Sequence, residues 1–99
     1  MEIRFTAQAD ADIIEAHHYG MRNFGNAQAE LYERNLRRAM AIIADTPRIA
    51  PERNEFDPPV RVHHHGKHYI VYMIQEHHIL VVRVLRDESD LARHLHVSD

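Results

Sequence analysis

The sequence contains no cysteine, and it has only three glycines and four prolines. The lack of cysteine excludes a disulfide framework, cysteine-based zinc sites and thiol catalysis. With so little glycine and proline there is no room for a flexible linker, so the 99 residues are expected to form one domain spanning 1–99. No apolar run approaches the length of a membrane span, and Met1–Phe5 lacks the pattern of a signal peptide. We therefore expect a soluble, cytoplasmic protein with no membrane partner.

Lysine is almost absent, because Lys67 is the only one and the other eleven cationic side chains are arginines. The net charge is −3 with histidine neutral, which argues against a general nucleic-acid binder and against direct, sequence-specific DNA binding by the chain alone. The positive charge is concentrated locally. Residues 60–86 hold Arg61, Lys67, Arg83 and Arg86 with Glu76 as their single acid, and six of the ten histidines. Because guanidinium groups pair well with carboxylates and phosphates, this segment is the expected binding region.

The first half of the chain predicts a short strand and two amphipathic helices. Residues 2–6 alternate in polarity, and Thr6 is placed to cap a helix that runs to about residue 23. Gly25 is expected to end this helix in a left-handed conformation and Asn26 to cap the next, which stops at Asp45–Pro47. The apolar positions expected to face the core are Ile13, Ile14, His17, Met21 and Phe24, then Leu31, Tyr32, Leu36, Ala39, Met40 and Ile43. Helices joined by so short a turn should pack as an antiparallel hairpin.

The second half predicts a loop, three strands and a short helix. Residues 47–59 contain all four prolines and no periodicity, which is typical of an ordered loop. Strands are expected at Val60–His65, His68–Gln75 and Ile79–Arg86, and Asp87 or Ser89 begins the terminal helix. The last strand is almost entirely apolar, which indicates an interior position covered on both faces. The predicted fold is α+β in the order β-α-α-β-β-β, with the helical hairpin packed on a mostly antiparallel sheet and a short C-terminal helix.

Histidine is the most conspicuous residue type of the second half. On a strand, His63 and His65 point to one face and His64 to the other, and His68 follows just past a tight turn. Neutral imidazoles at this spacing are able to bind zinc or nickel, so His63, His65 and His68 are the candidate metal ligands, with only Glu76 nearby in support. The simpler interpretation is an exposed, histidine-rich strand, and a pH-sensitive surface is a third. We expect no cofactor.

Arg61 and Arg83 interrupt otherwise apolar strands, where a charge is costly unless it faces water or a partner. If their strands are neighbours, both lie on one open face and form, with Lys67 and Arg86, a cationic platform for phosphate or carboxylate groups. The alternative is an arginine paired with an acid of the C-terminal segment, Asp87 or Asp90. Tyr69 and Tyr72, which border the platform, are expected to be core aromatics.

Three acidic residues lie at the start of the first helix, namely Asp10, Asp12 and Glu15. Asp12 and Glu15 share a helical face, as a catalytic carboxylate pair does. The helix dipole explains both aspartates without catalysis, so we expect a solvated acidic surface. The sequence contains no catalytic serine triad pattern, phosphate loop or dinucleotide motif.

Four segments occur in an order that is typical of one protein superfamily. They are Ala9–Glu15 followed by Tyr19, Phe24–Tyr32, the Gly-x-x-Tyr-x-x-Tyr pattern of Gly66–Tyr72, and Arg83–Leu85 with Asp90–Leu91 downstream. On these segments the chain resembles the ParE branch of the RelE/ParE superfamily, the toxin halves of bacterial type II toxin–antitoxin pairs. It departs from the family pattern at Ala50, where a glycine is usual, and at Arg86, where a histidine is common. The histidine-rich strand has no counterpart in the family.

The resemblance implies a growth-arresting toxin that inhibits DNA gyrase by binding it and is neutralised by a ParD-like antitoxin in a hetero-oligomeric complex. The residues expected to contact antitoxin or target are Arg61, His63, Lys67, Arg83 and Arg86, together with the outer face of the helix pair.

The RelE branch implies an alternative, ribosome-dependent mRNA cleavage. Its candidate catalytic residues are Arg61, Arg83, Tyr69 and His68. A single lysine and a negative net charge favour the gyrase inhibitor, which is not an enzyme, because phosphate contacts dominate RNA affinity. A third hypothesis is a metal-binding or structural module built on the histidines.

Overall fold

The computed structural model describes residues 1–97. Its elements are β1 (Glu2–Phe5), α1 (Ala7–Phe24), α2 (Asn26–Asp45), β2 (Glu52–Arg53), β3 (Val60–His65), β4 (His68–Ile74), β5 (His78–Leu85) and α3 (Glu88–His94). The α+β class and the short C-terminal helix are confirmed, and the predicted element order needs one addition. The segment predicted to be a loop contains β2, which pairs with Val60 and Arg61. No helix in the described part of the chain is long and apolar enough to cross a membrane.

The five strands form one sheet in the order β1-β5-β4-β3-β2. β1 pairs with β5 in parallel, with Ile3 opposite Ile79, and the other three pairings are antiparallel. The predicted interior position of the apolar strand is confirmed, since β5 lies between β1 and β4. β4 also separates β3 from β5, and this strand order decides which basic side chains are able to meet.

The first helix of the hairpin begins and ends at two different caps. The Thr6 hydroxyl accepts a hydrogen bond from Ala9 N–H at 3.0 Å, as predicted, and donates one to the Val82 carbonyl at 2.7 Å. Gly25 separates the two helices with φ 86° and ψ 172°, a conformation that is essentially restricted to glycine. The prediction that Asn26 caps α2 is wrong, because Gly25 occupies the cap position and Asn26 is the first helical residue.

Apolar clusters lie on both faces of the sheet. Under the hairpin, α2 contributes Leu36, Ala39, Met40 and Ile43, which pack on Ile70, Tyr72, Ile79, Val81 and Val84. On the opposite face, Leu91 of α3 packs with Phe56, Val60, Val71 and Leu85. Burial on both sides is the physical reason that β4 and β5 are so rich in valine and isoleucine.

The apolar stripe predicted for α1 is only partly buried. Ala9 is fully buried and Ile13 packs against the core, but Ile14, Met21 and Phe24 expose 56%, 43% and 61% of their surface. α1 meets α2 through small residues, since a Cβ added to Gly20 would lie 3.5 Å from the Ala29 Cβ. A narrow strip of α1 therefore fills the interface, and the larger side chains of the stripe stay outside. Leu31 of α2, also predicted to face the core, is 45% exposed.

Candidate interaction surface

Arg83 is held by the carboxylate of Asp12. Its Nε donates to Oδ2 at 2.8 Å and its Nη2 to Oδ1 at 3.0 Å, while Val84 N–H donates to the same Oδ2 at 2.9 Å. β1 ends at Phe5, so the edge of β5 beyond Val81 has no strand beside it, and Asp12 of α1 takes that place. Only 16% and 17% of the two side chains are exposed. Hydrogen bonding to the Asp12 carboxylate raises the pKa of Arg83, which keeps the guanidinium charged.

Two predictions about these residues are therefore wrong. Arg83 does not face outward, and its bidentate partner is Asp12 rather than Asp87 or Asp90. Asp12 is not part of a solvated acidic surface, whereas Asp10 and Glu15 are exposed. The charge of Arg83 is neutralised within the chain.

Arg61 is the second member of the predicted cationic platform, and it lies elsewhere. Arg61 is opposite Tyr72, whose row belongs to the cluster under the hairpin, while Arg83 is opposite Val71, which belongs to the cluster under α3. Because opposed residues in neighbouring strands share a face, the two arginines start from opposite faces of the sheet. The Nη1 of Arg61 donates to the Ala50 carbonyl at 2.6 Å. The single platform of Arg61 and Arg83 is therefore not formed.

The 47–50 segment is held by side chains from the sheet. Tyr72 Oη donates to the Pro47 carbonyl at 2.6 Å, beside the bond from Arg61 to Ala50. Tyr72 is fully buried, which confirms its prediction as a core aromatic, and Tyr69 is half-buried. Burial raises the pKa of Tyr72 above its usual value, so this hydroxyl keeps its proton.

Lys67 and Arg86 remain exposed, at the end of the sheet where the β3–β4 turn meets the start of α3. The Arg86 guanidinium carbon lies 3.6 Å from the centre of the Tyr19 ring, a cation–π contact that orders the side chain. A shallow groove of about 820 Å³ lies here, and its lining includes His64, Lys67, Tyr69, Arg86, Asp90 and Arg93. This groove is the candidate interaction surface.

The histidines divide between the two faces of the sheet as predicted. His64 stacks on Tyr69 with ring centres 4.6 Å apart and an interplanar angle of 5°. His63 and His65 lie on the other face, where His65 is opposite His68. Within residues 1–97, there is no group of three or more histidine, aspartate or glutamate side chains arranged to hold a metal ion. The candidates His63, His65 and His68 therefore share a face without forming a ligand cluster.

His68 is an uncharged side chain packed on Tyr32 of α2, with ring centres 4.7 Å apart. Burial, followed by the nearby charges of Arg86 and His65, lowers the pKa of His68 to about 4. Burial also lowers the pKa of His63 and raises that of Tyr32. Both Tyr32 Oη and His68 Nδ1 are buried without a hydrogen-bond partner. A charged His68 would therefore be poorly accommodated in this position.

The four candidate residues for RNA cleavage are not brought together. Arg83 is paired with Asp12, Arg61 is bound to the 47–50 segment, and Tyr69 and His68 lie on opposite faces of the sheet. The arrangement of these four residues therefore forms no catalytic cluster. The molecule offers exposed apolar and cationic surface instead, which suits contact with another macromolecule.

Two features of the structure were not predicted from the sequence. One is the exposure of Ile14, Met21 and Phe24, which helical periodicity does not distinguish from burial. The other is the role of Asp12, for which the sequence does carry a signal. An arginine inside an apolar strand needs a carboxylate partner, and Asp12 directly precedes Ile13, which the helical periodicity predicts to face the core.

Comparison with known proteins finds both a matching family and a similar solved structure. A family model described as the ParE toxin of type II toxin-antitoxin system, parDE, matches residues 3–91. A solved structure of the chromosomal ParDE TA system from P. aeruginosa has a TM-score of 0.75 at 17% sequence identity, covering 89% of this chain and 97% of that chain. The comparison with curated proteins gives no match.

The match to the family model begins in β1 and ends in α3, so it reaches every strand and helix of the described fold. The structural likeness supports the same architecture independently, because it extends over nearly all of both chains. The resemblance to the ParE branch that was inferred from four short segments is confirmed. The chain belongs to the ParE toxin family of type II toxin–antitoxin systems.

Proposed function

We propose that this toxin arrests growth by binding and inhibiting DNA gyrase, and that a ParD-like antitoxin neutralises it in a hetero-oligomeric complex. Membership of the ParE toxin family over residues 3–91 supports the proposal. So does the likeness of the fold to a ParDE structure. The toxin acts in the cytoplasm, where gyrase and DNA are found, and it acts without a cofactor.

The observation that carries a binding function, rather than RNA cleavage, is the ion pair of Arg83 with Asp12. A ribonuclease of this kind needs cations that are free to stabilise the phosphate charge that develops in the transition state. Arg83 donates from Nε and Nη2 to Asp12, at 2.8 and 3.0 Å, and Arg61 donates to the Ala50 carbonyl. His68 has a pKa of about 4 and is half-buried, so it is a poor general acid near neutral pH.

Four of the five residues expected to contact antitoxin or target take two different roles in this proposal. Lys67 and Arg86 contact the partner directly, because both are exposed at the groove. Arg61 and Arg83 act indirectly, by holding the 47–50 segment and the end of β5 in place. The fifth residue, His63, lies on β3 between Arg61 and the turn that carries Lys67. The outer face of α1, where Ile14 and Met21 are exposed, supplies apolar contact area.

A gyrase assay tests the proposed target. Purified toxin should abolish supercoiling by gyrase and increase the amount of cleaved DNA, and the purified antitoxin should reverse both effects. Charge reversal at the groove, Lys67→Glu with Arg86→Glu, should reduce inhibition at least tenfold. Arg4→Glu with Arg38→Glu is the matched control, since it changes the net charge equally at exposed sites outside the groove.

The same assay is able to contradict the proposal. If wild-type toxin leaves supercoiling and DNA cleavage unchanged, gyrase is not the target. Primer extension on translated mRNA then distinguishes the RelE-like alternative, because codon-phased cuts that depend on the toxin would identify a ribonuclease.

A further inference from the structure

The guanidinium of Arg86 lies over an aromatic ring and has no acidic partner in the described chain. Its carbon is 3.6 Å from the centre of the Tyr19 ring, well within the range of a cation–π contact. Arg83 and Arg93 differ, because each of them pairs with an aspartate. Within residues 1–97, no carboxylate lies within ion-pair distance of Arg86. The side chain is therefore charged, exposed and held by a ring instead of by an acid.

The geometry of this contact leaves the donors of Arg86 accessible. At 3.6 Å the guanidinium lies flat on the Tyr19 ring, because an N–H directed at the ring would hold the carbon farther away. The N–H groups lie in the plane of the guanidinium and therefore point sideways from the ring, where another molecule is able to reach them. Stacking on an aromatic face and pairing with a carboxylate are thus compatible for one guanidinium.

Tyr19 is itself held in place near the C-terminal end of α1. Its side chain is half-buried, and Phe24 contacts its ring edge-on with ring centres 6.2 Å apart. Such an edge-to-face arrangement is one of the favoured geometries of an aromatic pair. A ring that is carried by a helix and packed against a second ring is a firm base for the guanidinium above it.

Lys67 is the natural comparison for Arg86. It is exposed in the same groove, on the turn between β3 and β4. Within residues 1–97, no aromatic ring makes a cation–π contact with its ammonium group. The charge of Lys67 therefore stays on a flexible four-carbon stem, which binding has to order. The two cations differ in how far they are ordered before a partner arrives.

The charges around the groove favour a carboxylate of a protein over the backbone of a nucleic acid. The lining carries as many acids as strong cations, with Asp87, Glu88 and Asp90 beside Lys67, Arg86 and Arg93. Because phosphate contacts dominate the affinity for nucleic acids, this balance disfavours DNA as the occupant. A single carboxylate is better matched, because a guanidinium binds it through two parallel N–H donors.

We propose that Tyr19 is a positioning residue for target binding, whose ring holds the Arg86 guanidinium in place to pair with a carboxylate of gyrase. The inference rests on the proposed function, in which Arg86 contacts the partner directly. Ordering a long side chain before binding removes part of the entropy cost that association otherwise carries. Tyr19 therefore contributes to affinity without touching the target itself.

A double-mutant cycle on gyrase inhibition tests the coupling of the two side chains. Tyr19→Leu keeps an apolar, helix-forming side chain but removes the ring face, so half-inhibition of supercoiling should need about fivefold more toxin. In an Arg86→Ala background the same change should cost less than about twofold, since no guanidinium is left to hold. Lys67→Ala is the matched background, in which Tyr19→Leu should still cost about fivefold. Tyr19→Phe keeps the ring face and should stay within about twofold of wild type.

The free toxin gives a second readout by NMR spectroscopy. Protons held over the face of an aromatic ring are shifted upfield, so the Arg86 side-chain signals should lie upfield of those of Arg4, which is exposed and pairs with Glu2. The shift should disappear in Tyr19→Leu and persist in Tyr19→Phe, with thermal unfolding confirming that both variants fold.

Arg86→Lys leaves the packing of α1 untouched and provides an independent variant. It keeps the positive charge but replaces the planar guanidinium, which stacks on a ring, by a compact ammonium group. We expect it to weaken inhibition by about as much as Tyr19→Leu does, about fivefold.

Three outcomes would overturn the proposal. An equal cost of Tyr19→Leu with and without the Arg86 guanidinium would show that Tyr19 serves only the packing of α1. Wild-type inhibition by Arg86→Ala or Arg86→Lys would show that the stacked guanidinium is not used. The absence of an upfield shift for Arg86 in wild-type toxin would show that the contact does not form in solution. If wild-type toxin fails to inhibit gyrase at all, the proposed function fails as well, so this control separates the two failures.

Discussion

Arg83 and Asp12 are separated by 71 residues in the sequence and form a bidentate ion pair in the fold. The same carboxylate accepts a hydrogen bond from the Val84 N–H. One side chain therefore neutralises the guanidinium charge and also pairs a backbone N–H at the open edge of β5. Because both side chains are mostly buried, their mutual contact is what makes an arginine acceptable within the apolar β5 strand.

Removing the Asp12 carboxylate should destabilise the fold strongly. Asp12→Ala leaves a mostly buried guanidinium and the Val84 N–H without a partner, so we expect it to lower the free energy of unfolding by about 3 kcal/mol. Asp12→Asn should cost less, since its amide oxygen is still able to accept from Val84. Denaturant unfolding measures both, with Asp10→Ala at an exposed site as the control, expected within about 0.5 kcal/mol of wild type. Equal effects of Asp12→Ala and Asp10→Ala would contradict this role.

His68 should make the toxin less stable in mild acid. Its pKa is about 4 in the folded state against an ordinary value of 6.5, so the unfolded chain takes up the proton first as the pH falls below 6.5. Above about pH 6.5, His68 is uncharged in both the folded and the unfolded chain and does not affect the free energy of unfolding. As the pH falls from 6.5 towards 4, the free energy of unfolding decreases. Between pH 7 and pH 5 the loss from this group is about 2 kcal/mol.

The variant His68→Phe isolates the acid effect. Phenylalanine keeps a ring against Tyr32 but does not titrate, so the difference in unfolding free energy between pH 7 and pH 5 should shrink by about 2 kcal/mol. His77→Gln is the control, because the His77 side chain is 85% exposed. An unchanged pH dependence in His68→Phe would show that His68 is not the responsible group.

The two glycines with positive φ should tolerate no side chain without strain. Gly66 has φ 56° and is the first central residue of a two-residue turn whose second residue, Lys67, has negative φ, which is the type II′ pattern that favours glycine. Gly25 combines φ 86° with ψ 172°, a region open almost only to glycine. We expect Gly66→Ala and Gly25→Ala each to cost about 1–3 kcal/mol of stability. Neither position has an atom within 4 Å of an added Cβ, so backbone strain and not crowding decides the result. Thermal unfolding of the two variants is a direct comparison.

The hydroxyl of Tyr72 should matter for the 47–50 segment more than for the core. Tyr72→Phe keeps the buried ring and removes the bond to the Pro47 carbonyl, so we expect a loss of about 1–2 kcal/mol in unfolding free energy. Amide exchange should speed up at Ile49 while the exchange of Ile70, deep in the sheet, follows the global change alone. A uniform change at both amides would mean that the hydroxyl does not hold this segment.

Local features of the fold were predictable from the sequence because their causes are local. The Thr6 cap, the interruption at Gly25 and the β3–β4 hairpin depend on neighbouring residues, and all three were predicted. The short strand β2 was not predicted, because two residues carry no periodicity and form a strand only through the partner that β3 provides. Exposure of Ile14 and Met21 was missed for a similar reason, since the approach of Gly20 to Ala29 fixes how much of α1 is covered.

Periodicity and short motifs predicted the element order apart from β2, the α+β class, the interior position of β5 and the resemblance to the ParE branch, because these patterns are properties of the chain alone. Which charges are free depends on contacts between distant parts of the chain. The order β1-β5-β4-β3-β2 inserts β4 between Arg61 and Arg83, and the early end of β1 opens β5 to Asp12. Pairing between residues so distant in sequence depends on strand order and register, which helix and strand periodicities do not encode.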